Sequence, residues 1–184
     1  IDGQLNDSRI ERLVIGNIAV LTDAISQIGA ITEEAAVVVD EFSKAYTNFC
    51  NRNFGRTWAQ RIGVTTCPYC NRSYIFTSNK SGTRPQYDHY FPKSKYPYLA
   101  LSMYNLIPCC SICNGLKHNN DTHQTPLIYP YTDSYGKQAS FEAASKESDD
   151  ITALVGAAEK YQIKVKYAEG IDPELKRKIE QAVS

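Results

Sequence analysis

Two Cys-x-x-Cys pairs, far apart along the chain, constrain this sequence more than any other feature. Cys67 with Cys70 forms the first pair, and Cys110 with Cys113 forms the second. Both thiolates of such a pair can bind one zinc ion, and two pairs complete its tetrahedral ligand set. Because four cysteines leave no open position on the metal, the spacing predicts a structural zinc that joins two distant segments.

The remaining cysteines have other expected roles. Cys109 competes with Cys110, but only Cys110 has the two-residue gap to Cys113. Cys50 falls in a predicted helix and is expected to be a buried thiol. Six cysteines would also suit a disulfide-linked secreted protein. No signal peptide and no apolar run of membrane-spanning length is evident, so we expect a cytoplasmic protein that does not interact with membranes.

The formal net charge is zero, yet the charges are segregated along the chain. Residues 42–120 hold ten Lys or Arg and a single acid, Asp88. A basic segment that keeps one carboxylate is expected of a polyanion-binding surface with one metal ligand. The alternative is that these cations only solvate loops. The best candidates for nucleic-acid phosphate contacts are Arg72, Arg84, Lys93, Lys95 and Lys117.

Polar residues with the chemistry of a hydrolytic centre lie between and beside the cysteine pairs. His89 follows Asp88, and an unperturbed imidazole titrates near neutral pH, as a general base requires. The alternative for His89 is a structural hydrogen bond. Mg²⁺ prefers oxygen ligands, which the Asp88 carboxylate and the Asn114 amide can supply. The Asn105 amide can hold the intervening loop near His89.

These motifs together resemble the HNH endonucleases of the ββα-metal type that contain a four-cysteine zinc site. The resemblance covers roughly residues 64–118, with the motif residues in the same order. It implies that His89 activates a water molecule and that Asn105 is the structural middle residue. It also implies that Asp88 and Asn114 bind the catalytic divalent ion.

The third motif position departs from the family pattern, because Asn114 stands there in place of His. Family members with Asn at this position are competent, and the amide makes Mg²⁺ or Mn²⁺ a better expectation than a catalytic zinc. His118 and His123 are the alternatives for a third histidine.

A second resemblance concerns the biological role. The predicted helices before the motif region and the segment TPLIYPY at 125–131 resemble those of HNH proteins in bacterial anti-phage systems. The proteins in question are the PtuB-like effectors, which pair with an ATPase. This implies an antiviral DNA nuclease with a protein partner, for which an ATPase is the candidate. RNA is the alternative substrate. A non-catalytic zinc module that binds nucleic acid or a protein partner is the alternative function.

The predicted fold class is α+β, with an HNH core at 61–125 between an N-terminal helical region at 1–60 and a C-terminal α/β extension at 126–184. The three parts are expected to form one compact domain. Hydrophobic periodicity and turn residues predict the elements. The predicted elements are helices over 9–28 and 32–50, a hairpin of strands at 73–77 and 86–90, a mostly irregular 91–108 with a helical turn near 99–104, a helix over 110–118, a strand at 162–167 and a helix from Asp172.

Overall fold

The computed structural model describes residues 7–31, 35–78, 80, 82–145 and 161–183 of the chain. The described residues contain both helices and small antiparallel sheets, which confirms the predicted α+β class. The elements are α1 (Asp7–Ile15), α2 (Ile18–Ile28), α3 (Ala36–Asn51), α4 (Asn53–Ile62), β1 (Gln86–His89), β2 (Leu106–Cys109), α5 (Ser111–Lys117), β3 (Ala139–Ser145), β4 (Tyr161–Tyr167) and α6 (Pro173–Val183).

The chain divides into two compact units, Ile1–Pro126 and Leu127–Ser184. The first unit contains both cysteine pairs and every residue expected at the hydrolytic centre. None of the helices in the described ranges combines the length and the apolar character that crossing a membrane requires.

The N-terminal segment forms two helices where a single helix over 9–28 was predicted. The chain breaks at Gly16, where an added Cβ would lie 2.2 Å from the backbone oxygen of Arg12. Asn17 then caps α2, because its side-chain oxygen accepts a hydrogen bond from the Val20 amide at 3.2 Å. The predicted end of this segment is confirmed, since Gly29 is the C-cap of α2 with a φ of 78°.

The next two helices form a layer against the small sheet. Residues 32–34, where the second helix was predicted to begin, lie outside the described residues, and α3 is described from Ala36. Helix α4 was not predicted; it ends at Gly63, which adopts the left-handed conformation. Aromatic side chains from both helices pack on a buried cluster of Ala59, Tyr87 and Leu106, namely Tyr46, Phe49 and Trp58.

The strand pairing differs from the predicted hairpin. Strand β1 forms as expected, but its antiparallel partner is β2, with His89 opposite Leu106. Residues 73–77, which were predicted as the partner strand, contribute one isolated bridge between Tyr74 and Thr66.

Strand β2 was predicted as part of a loop because it is short and contains Pro108. Proline removes a hydrogen-bond donor but is tolerated at a sheet edge, and both strands of a two-stranded sheet are edges. The intervening segment contains two short 3₁₀ helices, Pro97–Leu99 and Met103–Asn105, near the predicted helical turn. Helix α5 follows β2 directly, so residues 86–117 form a ββα unit.

The second unit contains the antiparallel pair β3 and β4, together with α6. The strand expected at 162–167 is β4. Helix α6 begins as expected, since the Asp172 side chain accepts a hydrogen bond from the Leu175 amide at 2.8 Å. Strand β3 was not predicted, because its Ala- and Ser-rich sequence has a weak strand preference.

Candidate metal centre and adjacent cleft

The four predicted cysteines come together in space. The Sγ atoms of Cys67, Cys70, Cys110 and Cys113 all lie within 4.8 Å of one another, which positions them to bind a metal ion. In a tetrahedral zinc site each sulfur is about 2.3 Å from the ion, so the sulfurs are about 3.8 Å apart. The cluster therefore has the size that zinc requires. Cys109 is not a member, as its spacing predicted.

Local backbone geometry brings each pair to this cluster. The first pair lies in a tight turn in which the Asn71 amide donates to the Cys67 carbonyl at 2.8 Å, and Asn71 has a φ of 48°. The second pair spans the start of α5, where the Cys110 sulfur accepts a hydrogen bond from the Cys113 amide at 3.4 Å. The cluster thus links the turn before β1 to the ββα unit.

Asp88 lies inside the protein with both carboxylate oxygens hydrogen bonded. The Tyr69 hydroxyl donates to Oδ2 at 2.6 Å, and the Lys117 ammonium donates to Oδ1 at 3.0 Å. The same ammonium donates to the His89 carbonyl at 2.7 Å. Burial raises the pKa of Asp88, and the two donors act in the opposite direction.

This position changes the expectation for Lys117. Its side chain is 5% exposed, so the expected role as a phosphate contact does not fit. A long basic side chain next to the Cys-x-x-Cys motif suggests surface charge from sequence alone. The fold instead turns it inward, because the Asp88 carboxylate and the His89 carbonyl offer it two acceptors in place of water.

His89 is buried with one nitrogen held by the backbone. Its Nε2 lies 3.0 Å from the Ala100 carbonyl. Because a carbonyl only accepts, the neutral ring carries its proton on Nε2 and keeps a lone pair on Nδ1. Burial lowers the pKa of His89 to about 4, so the ring is neutral at neutral pH.

Asn105 is fully buried and is the last residue of the segment that connects β1 to β2. Its Oδ1 accepts a hydrogen bond from the Phe91 amide at 2.7 Å. Its Nδ2 donates to the carbonyls of Phe91 and Leu99, each at 3.1 Å. These bonds hold the chain on both sides of Ala100, the residue whose carbonyl contacts His89. Asn105 thus ties together the loop that contains Ala100.

A cleft of about 390 Å³ opens beside β1 and α5. Its lining includes Asp88, His89 and Asn114, which are three of the four residues expected at the hydrolytic centre. The Asn114 Nδ2 donates to the Gln86 side chain at 2.8 Å. This bond orients the amide and leaves its oxygen as the candidate ligand atom.

The basic residues expected to bind phosphate occupy different positions. Lys93 lines the cleft, with its ammonium 4.6 Å from the centroid of the Tyr46 ring. The Lys95 ammonium lies 3.0 Å from the carboxylate of Asp121. Arg84 donates to the Pro85 carbonyl at 2.8 Å and lies over the Tyr87 ring, and Arg72 is exposed next to the first cysteine pair.

The two alternative histidines are also separated. His118 lines the cleft, whereas His123 contacts the rings of Phe91 and Tyr96. The sequence indicated neither the contact of Tyr46 with His89 nor the hydrogen bond of Tyr69 to Asp88. Tyr69 lies within the first Cys-x-x-Cys motif, which offered a positional signal, but Tyr46 lies in a distant helix and had none.

Comparison with known proteins gives a similarity to the Septu protein PtuB of Bacillus thuringiensis. The identity is 25% over 104 residues, which are 56% of this chain and 39% of that protein. The chain thus spans well under half of its relative's length. No protein-family model and no solved structure matches the chain. The similarity agrees with the PtuB-like part of the resemblance drawn from the motifs.

Proposed function

We propose that this protein is a metal-dependent HNH-type endonuclease that hydrolyses phosphodiester bonds in DNA. The observation that carries the proposal is the convergence of Asp88, His89 and Asn114 on one cleft next to the four-cysteine cluster. Zinc in that cluster has a structural role, because four thiolates leave the ion no position for substrate.

In this proposal His89 is the general base. Its neutral imidazole has an available lone pair on Nδ1, which accepts a proton from the attacking water. The low pKa of about 4 describes the site without substrate. A bound phosphodiester brings negative charge to the ring and favours its protonated form, so the basicity of His89 rises when substrate is present.

Asp88 and Asn114 are the proposed ligands of Mg²⁺ or Mn²⁺. Their donor atoms are carboxylate and amide oxygens, which suit these ions, and both residues line the cleft. Each Asp88 oxygen accepts one hydrogen bond and keeps a second lone pair. Asp88 is buried and its charge is already compensated by the Lys117 ammonium, whereas Asn114 is half-buried, so Asn114 is the more accessible of the two ligands. A bound ion would stabilise charge on the phosphate and on the departing oxygen.

The proposed substrate class and biological role rest on different observations. The basic segment 42–120 and the exposed Lys93 at the cleft favour a polyanion, of which DNA is the proposed form. The similarity to the Septu protein PtuB supports a role as an effector of anti-phage defence that acts with a protein partner, an ATPase being the proposed one.

The test is cleavage of plasmid DNA and of a matched RNA by wild type and by His89→Ala, with Mg²⁺, Mn²⁺ or EDTA. The partner protein is included in a parallel series. We expect wild type to cleave DNA only with a divalent ion, and His89→Ala to lose at least about 100-fold in rate. Equal cleavage rates in the two proteins would contradict the HNH assignment. Cleavage by neither protein would favour the non-catalytic zinc module, and full activity in EDTA would exclude a catalytic divalent ion.

A further inference from the structure

A tyrosine from outside the ββα unit forms part of the cleft wall. Tyr46 lies in α3, and its ring meets the His89 ring edge-on, with centroids 4.6 Å apart and an interplanar angle of 64°. The Lys93 ammonium lies 4.6 Å from the centroid of the same ring. One aromatic side chain therefore contacts both the proposed base and the basic residue that lines the cleft.

The chemistry of the ring gives both contacts a preferred geometry. The face of an aromatic ring is electron-rich and its edge is electron-poor, so edge-on pairs and cations over the face are favourable. Lys93 is exposed and flexible, and a ring beneath its ammonium narrows the positions that it samples. The Ala100 carbonyl holds His89 at Nε2 only, and the Tyr46 ring restricts the imidazole at a second place.

Tyr46 is itself held on a rigid element. Its ring stacks on Phe49 in the next turn of α3, with centroids 6.4 Å apart, and Phe49 contacts Tyr87 at 6.0 Å. Tyr87 belongs to β1, as His89 does, and its hydroxyl donates to the Gly55 carbonyl in α4. The distance between Tyr46 and His89 is therefore set by packing of α3 and α4 against β1.

We propose that Tyr46 is a positioning residue that orients the His89 imidazole and holds Lys93 at the cleft, which makes α3 an integral part of the site. This inference rests on the proposed nuclease function. The ring makes both contacts, so the role belongs to the ring and not to the hydroxyl. Tyr46→Phe should therefore retain it, and Tyr46→Leu, which keeps a smaller apolar side chain without a ring, should lose it.

The kinetic test separates the two contacts. In a DNA-cleavage assay we expect Tyr46→Leu to lower kcat about 10- to 100-fold through misorientation of His89. It should also raise KM about three- to tenfold because Lys93 is released. Lys93→Ala should raise KM with little change in kcat, and Tyr46→Phe should behave as wild type. Phe54→Leu, which removes an exposed aromatic ring from α4, is the control for loss of an aromatic side chain.

A spectroscopic readout is independent of activity. The chain has three histidines, whose imidazole NMR resonances can be observed in isotope-labelled protein. Tyr46→Leu should shift the resonances of His89, because a neighbouring ring current is removed. The resonances of His123 should not move, since other rings contact it. Unchanged His89 resonances, or wild-type kcat and KM in Tyr46→Leu, would overturn the inference. Wild type that cleaves no nucleic acid would contradict the proposed function, and the resonances would still decide whether the Tyr46 ring lies against His89.

Discussion

The ammonium of Lys117, at the end of α5, lies 3.0 Å from the carboxylate of Asp88 in β1, and both side chains are at most 5% exposed. A buried charge loses its hydration, so each partner depends on the other. Tyr69, in the turn that holds the first cysteine pair, donates its hydroxyl to the other oxygen of the Asp88 carboxylate. The pair thus connects the strand that carries His89 to the helix that carries Asn114.

Removal of Lys117 should destabilise the protein strongly. Lys117→Met leaves the Asp88 carboxylate buried without a counter-charge, which costs about 3–5 kcal/mol. The measurement is the free energy of unfolding in urea. Lys166→Met is the control, because both partners of its ion pair with Glu142 are exposed and such pairs contribute about 0–1 kcal/mol. Similar losses in the two variants would contradict the importance assigned to burial.

Removal of the Tyr69 hydroxyl tests the other side of Asp88. Tyr69→Phe deletes the hydrogen bond to Oδ2, and a bond to a charged group contributes about 1.5–3 kcal/mol. The cysteines are unchanged, so we expect lower stability at full metal content. Loss of metal in this variant would show that the hydroxyl bond to Asp88 also holds the cysteine turn in place.

The cysteine cluster should bind one zinc ion per chain. Elemental analysis of the purified protein checks the stoichiometry. Cys110→Ser should lower the zinc content and the melting temperature, because three thiolates remain and metal binding contributes folding free energy. Cys109→Ala should keep its zinc, since Cys109 lies outside the cluster. Zinc-free wild type, or equal zinc loss in both variants, would contradict the assignment.

Affinity for duplex DNA should fall steeply with salt, because bound phosphates release counterions. Lys93→Ala should reduce the slope of log affinity against log salt by about one, since one phosphate contact is lost. Lys164→Ala removes an exposed lysine from β4 and is the matched control. A slope that does not change in Lys93→Ala would exclude a phosphate contact at the cleft.

The second unit should respond to acid through Asp133. Burial raises the pKa of this carboxyl, but the hydrogen bonds from Lys178 and the Tyr129 amide outweigh it and hold the pKa below its ordinary value. The resulting stability is present above the unfolded-state pKa, about 3.9, and is lost as pH falls through the folded-state value. Asp133→Asn should therefore lose less stability than wild type between about pH 5 and pH 2 in urea titrations.

The comparison needs a variant with similar chemistry at an exposed site. Glu142→Gln removes a carboxylate whose ion pair with Lys166 is long, at 3.8 Å, and exposed. It should show the same acid dependence as wild type. If Asp133→Asn and wild type lose stability equally on acidification, the Lys178 pair contributes nothing in this pH range.

The sequence by itself determined the cysteine cluster and the fold class. A Cys-x-x-Cys motif offers two zinc ligands at a short fixed spacing, so two such motifs identify the cluster without any knowledge of the fold. Helix ends could be predicted where a glycine or a cap stands in the chain, as at Gly29 and Asp172. The order of Asp88, His89 and Asn114 also indicated residues that the fold brings to one cleft.

Only the tertiary structure decided which strands pair and which charges are buried. Pairing of β1 with β2 joins segments that are distant in sequence, and local residue preferences favoured the nearer segment 73–77. The side chain of Lys117 is inside because Asp88 happens to face it across the ββα unit, which is a long-range relation. Tyr46 reaches His89 for the same reason, since the packing of α3 on β1 sets that contact and no local pattern encodes it.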